Sequence, residues 1–154
     1  MPNYCDNEVM ISAITPEAKQ YFPKLVQAFN EDRWCELVLP CPPQLDTDEA
    51  HAYGGEEAES RDAIRALNKA KYGYDNGYQW RWSNWGTKWE PWDQDIKILA
   101  DYAFRACFTS AWTPPIGVYR RLYEMGFNIK AKYREDGMGL SDSCQGIQGQ
   151  GWVD

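Results

Sequence analysis

The chain has 154 residues, 44% of them hydrophobic, and a net charge of −7. That length builds one ordinary hydrophobic core and not two. No apolar run approaches the ~18 residues of a membrane span, and the opening Met1-Pro2-Asn3-Tyr4-Cys5-Asp6 lacks the basic and apolar regions of a secretory signal, so a cytoplasmic location is expected.

Residues 8–14 alternate as a strand, with Val9, Ile11 and Ala13 on one face. Thr15-Pro16-Glu17 is a helix start: a threonine cap, a proline in the first turn and an acid at the positive end. Ala18, Tyr21, Phe22, Leu25, Val26 and Phe29 then keep helical spacing, and Pro23 is expected to kink this helix or displace its start. Residues 34–55, with Leu39-Pro40-Cys41-Pro42-Pro43 and Gly54-Gly55, read as loop. Residues 56–71 return to helical composition, with Ala58, Ala63, Ile64, Ala66, Leu67 and Ala70 as the inner set.

Tyr72 to Trp92 holds eight aromatic residues: Tyr72, Tyr74, Tyr78, Trp80, Trp82, Trp85, Trp89 and Trp92. Within it, Gly77 to Trp85 predicts a short helix stopped by Gly86. Gln94–Ala100 and Tyr102–Thr109 read as a hairpin across Asp101, with Ile96, Ile98, Tyr102, Phe104, Ala106 and Phe108 inward. Thr113-Pro114-Pro115 is expected to cap a second core helix, with Ile116, Tyr119, Leu122 and Tyr123 inside and Gly126 as its stop. Phe127, Ile129, Ala131 and Tyr133 mark a last strand. Beyond Asp136 the glycine, serine and glutamine content predicts a flexible tail over 141–154, from which Trp152 can dock back.

The order strand, helix, insertion, strand, strand, helix, strand predicts an α+β fold. It is the ferredoxin-like βαββαβ plan over residues 1–140, with a helical and loop insertion of about sixty residues at about 31–91. Helices should cover one sheet face. The other presents Met10, Ser12, Lys97, Arg105, Cys107, Lys130 and Lys132, and is mildly basic. Between Glu36 and Asp62 lie eight acids and one base, Arg61, so this segment supplies the whole net charge. A localised acidic insertion is expected to fold over part of the basic face, or to meet a basic partner.

Catalytic chemistry finds no foothold. His51 is the only histidine, no G-x-S-x-G is present, and a nucleophile or base site needs a second positioned group. Asp46, Asp48 and Glu49 sit out of phase with the EF-hand pattern, so no metal site is expected. Five cysteines without C-x-x-C spacing read as free thiols. The glycine-rich stretches 137–139 and 146–151 lack the strand–loop–helix setting of a phosphate cradle. RNA-recognition modules stack bases on outward aromatics of the central strands. Here the expected outward residues are Met10, Arg105 and Cys107, so direct nucleic-acid binding is not expected.

Four blocks carry a resemblance: Met1-Pro2-Asn3-Tyr4-Cys5-Asp6-Asn7, Asn84-Trp85-Gly86-Thr87-Lys88-Trp89, Ser110-Ala111-Trp112-Thr113-Pro114-Pro115 and Glu135-Asp136-Gly137-Met138-Gly139. In this order they resemble the YubB-type ferredoxin-like family of phage and conjugative-plasmid proteins, from Met1 to about Leu140. Tyr4 stands where the family pattern has tryptophan. The resemblance implies a ferredoxin-like core and a mobile-element origin. It brings no catalytic residue or cofactor.

The expected function is a non-enzymatic binding protein of phage or plasmid origin that inhibits a host defence system. Its partner would be a host protein, such as a nucleic-acid-binding defence protein, held through Asp46, Asp48, Glu49, Glu56 and Glu57. The alternative is a small-molecule binder, a sponge for a nucleotide signal. It would stack a base on Trp80, Trp82, Trp85 or Trp89, with Arg81 or Lys88 at the phosphate.

Overall fold

The computed structural model describes residues 3–52, 54–55, 57–137 and 139–154. Glu56 of the expected partner surface, and Met1, Pro2 and Met138 of the resemblance blocks, lie outside the described residues.

Six strands form one sheet: β1 (Tyr4–Ala13), β2 (Trp92–Ala100), β3 (Ala103–Ala111), β4 (Phe127–Glu135), β5 (Leu140–Ile147) and β6 (Gly151–Val153). Their order is β2-β3-β1-β4-β5-β6, antiparallel throughout. This overturns the four-stranded ferredoxin-like plan. The protein is an α+β fold with an open six-stranded antiparallel sheet.

The expected tail accounts for the difference. Residues 140–153 run as a hairpin on the free edge of β4, with Ala131 opposite Cys144 and Gly146 opposite Trp152. Composition hides this because the hairpin buries little of its own. Cys144 points inward, and Trp152 packs edge-to-face on Tyr123 with centroids 6.0 Å apart. Gly146 makes room for that contact, since a Cβ there would lie within 3 Å of both rings.

One sheet face carries the core. Val9 and Ile11 of β1, Phe104 and Ala106 of β3, and Phe127 and Ile129 of β4 are buried under α1 (Pro16–Asn30) and α6 (Ile116–Glu124). Thr15 caps α1 by accepting the N–H of Ala18. Pro23 stands inside α1, which runs unbroken from Pro16 to Asn30. It lies on the exposed face, where water can satisfy the carbonyl its missing N–H would have bonded. Thr113 does not cap α6; its hydroxyl bonds the Gly86 carbonyl instead.

Residues 31–91 contain α2 (Trp34–Val38), a 3-10 turn (Pro43–Leu45), α3 (Asp48–His51), α4 (Ala58–Tyr72) and α5 (Gly77–Asn84). They extend the helix layer, and among the described residues none forms the expected cover over the other face of the sheet. Lys130 and Lys132 remain exposed. Apolar matching decides this. Trp34 stacks on Phe29 at 4.2 Å and 10°, while on the bare face Asp6 lies opposite Arg134 and Glu8 opposite Lys132, already complementary in charge. In α4 the expected inner face holds only in part: Ala58 and Ile64 are half-buried, but Ala63, Ala66, Leu67 and Ala70 are exposed, and Arg65 and Asn68 are the buried residues. That helix rests on loop carbonyls, with Arg65 donating to Ala52 O and Asn68 to Gln44 O and Asp75 O.

Candidate aromatic cleft

Two short segments meet between the insertion and the core. The first is the C-terminal end of α5. Its cap residue Trp85 is 2% exposed and donates from Nε1 to Leu39 O at 2.7 Å. Gly86 follows with φ 93, as a helix stop requires. The second is the β3–α6 connection. Gly117 donates to Trp85 O at 2.9 Å, and a Cβ on Gly117 would lie 1.7 Å from Asn84 O. Only glycine permits this approach of α6 to α5.

Three further bonds stitch the segments. Thr87 Oγ1 donates to Ala111 O at 2.9 Å from a fully buried position, and Thr113 Oγ1 donates to Gly86 O. Ser110 Oγ donates to Thr113 O at 2.8 Å. Within this knot Trp112 has φ 69, and Thr113 N–H bonds Ala111 O across it at 2.8 Å. A positive φ spanned by an i to i+2 bond is a strained γ-turn, and a non-glycine residue held so costs about 1–3 kcal/mol. The Trp112 N–H is also fixed, to Asn3 O at 2.8 Å.

The strain places the Trp112 ring over a cleft of about 590 Å³ lined by Asn76, Tyr78, Gln79, Trp82, Lys88 and Trp112. Lys88 Nζ lies 5.9 Å from the Trp82 centroid and 6.0 Å from that of Trp112. Trp82 is 44% exposed and Tyr78 45%. Asn76 caps α5 by accepting the N–H of Gln79, so the positive end of that helix borders the same space. Aromatic faces beside one ammonium and a helix N-terminus can hold a planar group that carries negative charge.

The sequence-derived ligand set divides here. Trp82 and Lys88 line the cleft. Trp80 and Trp85 form an edge-to-face pair, with Trp85 in the core and Trp80 packed against it. Arg81 is buried: Nη1 bonds Asp46 Oδ1 at 3.0 Å, Nε donates to Lys88 O, and the guanidinium lies over Tyr78 and Trp85. It braces the Lys88 loop and is not open to a phosphate. Trp89 lies edge-on to Tyr78 at 6.4 Å and does not line the cleft. Trp112 and Tyr78 were missed as ligand residues. Trp112 stands within one of the four resemblance blocks, but nothing in sequence spacing announces its backbone.

The acidic set divides as well. Asp46 holds His51 Nε2 at 2.8 Å and Arg81. Burial pushes its carboxyl up, but the bonds from His51 and Arg81 outweigh this and hold it below the usual carboxylate range. Asp48 and Glu49 sit in the first turn of α3, and Glu57 at the start of α4; all three are exposed. His51 is less solvated than expected, since its ring also packs on Tyr78 at 4.2 Å.

A second anchor of the insertion is Glu90. Its two carboxylate oxygens accept the N–H groups of Cys35 at 3.0 Å and Glu36 at 2.7 Å, capping α2 from 54 residues away. Burial nevertheless pushes its carboxyl up to about 7, against the pull of those donors. Burial likewise raises the thiols of Cys5, Cys41 and Cys144 to about 11, so these are inert side chains. All five cysteines are free. Among the described residues no helix is long and apolar enough to cross a membrane, and no group of three or more His, Cys, Asp or Glu converges as a metal site would.

Fold and cleft together define an α+β protein with a bare antiparallel sheet face and a braced aromatic pocket on its helix side. No family model matches the chain, and no curated protein matches it. Among solved structures, the fold is similar to the crystal structure of the protein api92 from Yersinia pseudotuberculosis, assigned to family DUF1281. The TM-score is 0.52 with 9% identity, over 100% of this chain and 98% of that one. At that identity the likeness concerns the fold alone.

Proposed function

We propose that the protein is a non-enzymatic binder of a small planar anion, a nucleotide, held in the cleft between Trp82 and Trp112. The observation that carries the reading is the strained Trp112 γ-turn, whose indole lines the same cleft as Trp82 beside Lys88. Strain of this kind persists where surrounding bonds fix it, and it clusters at ligand sites. A base stacks on Trp82 or Trp112, and its phosphate meets Lys88 and the first turn of α5. Such a protein acts as a reservoir or sponge for a nucleotide signal.

Titration calorimetry with a panel of linear and cyclic nucleotides tests this. At least one should bind, and Trp82→Ala and Lys88→Ala should each weaken it by about tenfold or more. Absence of binding across the panel refutes the reading.

A second reading rests on a different observation. Asp48, Glu49 and Glu57 are exposed on one insertion, and the exposed Leu67 lies on the helix that Glu57 begins. This corner supports contact with a basic host protein. The four sequence blocks support a YubB-type relationship, a phage or plasmid origin and a role against host defence. Neutralising Asp48, Glu49 and Glu57 should weaken capture of that partner while leaving nucleotide binding intact. Unchanged capture removes this reading.

A further inference from the structure

β2 is an edge strand. β3 pairs with one side of it, and no described strand pairs with the other. It carries Ile98 at 55% exposure and Leu99 at 48%. An open edge with apolar side chains is a template for pairing. Register shifts between Trp92 and Asp95 and between Ile98 and Ala100 leave Asp95–Ile98 as the regular stretch. We propose that β2 pairs antiparallel with β2 of a second copy about a two-fold axis through Ile96, joining the two sheets into one.

The pleat and the charges select that axis. Asp95 and Lys97 lie opposite Cys107 and Arg105, on the bare face; Ile96 and Ile98 lie opposite Ala106 and Phe104, on the helix face. Residues opposed across an antiparallel pair share a face, so the axis must pass through a residue and not between two. An axis at Asp95 sets Asp95 against Asp95 of the second copy. An axis at Lys97 sets two lysines together. Axes at Gln94 or Ile98 run into the register shifts. Only Ile96 sets Asp95 against Lys97 of the second copy, twice by symmetry, with Ile96 on Ile96.

The neighbouring strands agree. Lys97 continues through Arg105 and Met10 to Lys130, a row with three cations and no acid. Asp95 continues through Cys107 and Glu8 to Lys132, a row with two acids and one cation. The Ile96 axis lines the row of three cations in one copy up with this net-acidic row of the other. Three residues of each strand, Asp95 to Lys97, oppose one another in regular register, a small contact, so association belongs in the micromolar range.

Sedimentation equilibrium of the full chain tests the pairing. Wild type should dimerise at micromolar protein. Asp95→Lys and Lys97→Asp should each weaken association by about tenfold or more, because each turns two attractive pairs into repulsive ones. The double swap Asp95→Lys/Lys97→Asp should restore it. As a second probe, Ile96→Cys should form a disulfide-linked dimer on oxidation while wild type does not, since a pair on the axis falls within disulfide reach. A monomeric wild type overturns the proposal. So do single variants that associate normally, or a double swap that stays monomeric.

Discussion

Replacing Glu90 by glutamine should change how stability depends on pH. Glu90 caps α2 through two backbone N–H groups, which favour the carboxylate. Burial opposes them and wins, raising its pKa from 4.5 to about 7. A carboxyl whose folded pKa is raised keeps its proton longer in the native state. Its stabilising contribution is therefore full below about pH 4.5 and is lost as pH rises through about 7. At 1.36 kcal/mol per unit the loss is on the order of 3 kcal/mol. Glutamine keeps one acceptor and cannot ionise. Urea denaturation of both proteins between about pH 4 and about pH 8.5 reads the effect. Wild-type stability minus that of Glu90→Gln should fall by about 3 kcal/mol across the window, with the other titrating groups cancelling. A flat difference would refute the burial argument. A difference that grows with pH would show that the two N–H donors win instead.

Gly117→Ala should lose about 1–3 kcal/mol or more in chemical denaturation, because its methyl must displace Asn84 O and so part α5 from α6. Trp85→Phe removes the donor to Leu39 O and leaves a void in the core; the midpoint in urea should report a loss of about 2–4 kcal/mol. Trp112→Gly separates stability from binding. It relieves up to about 1–3 kcal/mol of strain, which offsets part of the lost ring packing, so thermal melting should stay near wild type while nucleotide no longer shifts it.

Four of the six strands and the two covering helices were legible, though not the six-stranded sheet they join, because one face is buried and the other wet. That arrangement writes alternation into β1, β3 and β4 and helical spacing into α1 and α6. The hairpin 140–153 was not legible, because its strands borrow their core from Tyr123 and the free edge of β4. The helices within 34–55 were hidden for a related reason. α2 is capped by Glu90, a partner no local pattern can supply. For α4, alanine-rich composition points to one inner face, but the helix is held by Arg65 and Asn68, which satisfy loop carbonyls. At the cleft, residue type located Trp82 and Lys88. It could not tell them from Arg81 and Trp85, whose partners Asp46 and Leu39 are brought in by the fold.

Trp82 belongs to the insertion and Trp112 to the core, so the cleft exists only while the insertion is docked. The docking groups are the Gly117 contact, the Thr87 and Thr113 bonds, the Trp85 donor and the Glu90 cap. A ligand that touches both indoles therefore binds the docked state alone, and at one hundred times its dissociation constant stabilises it by about 2.7 kcal/mol. The coupling runs both ways. Ionising Glu90 loosens the insertion, so rising pH should lower ligand affinity in wild type and leave it unchanged in Glu90→Gln. If affinity instead follows pH equally in both proteins, the cleft is set by the Trp112 turn and the α5–α6 contact, and the α2 cap belongs to a separately stabilised part of the insertion.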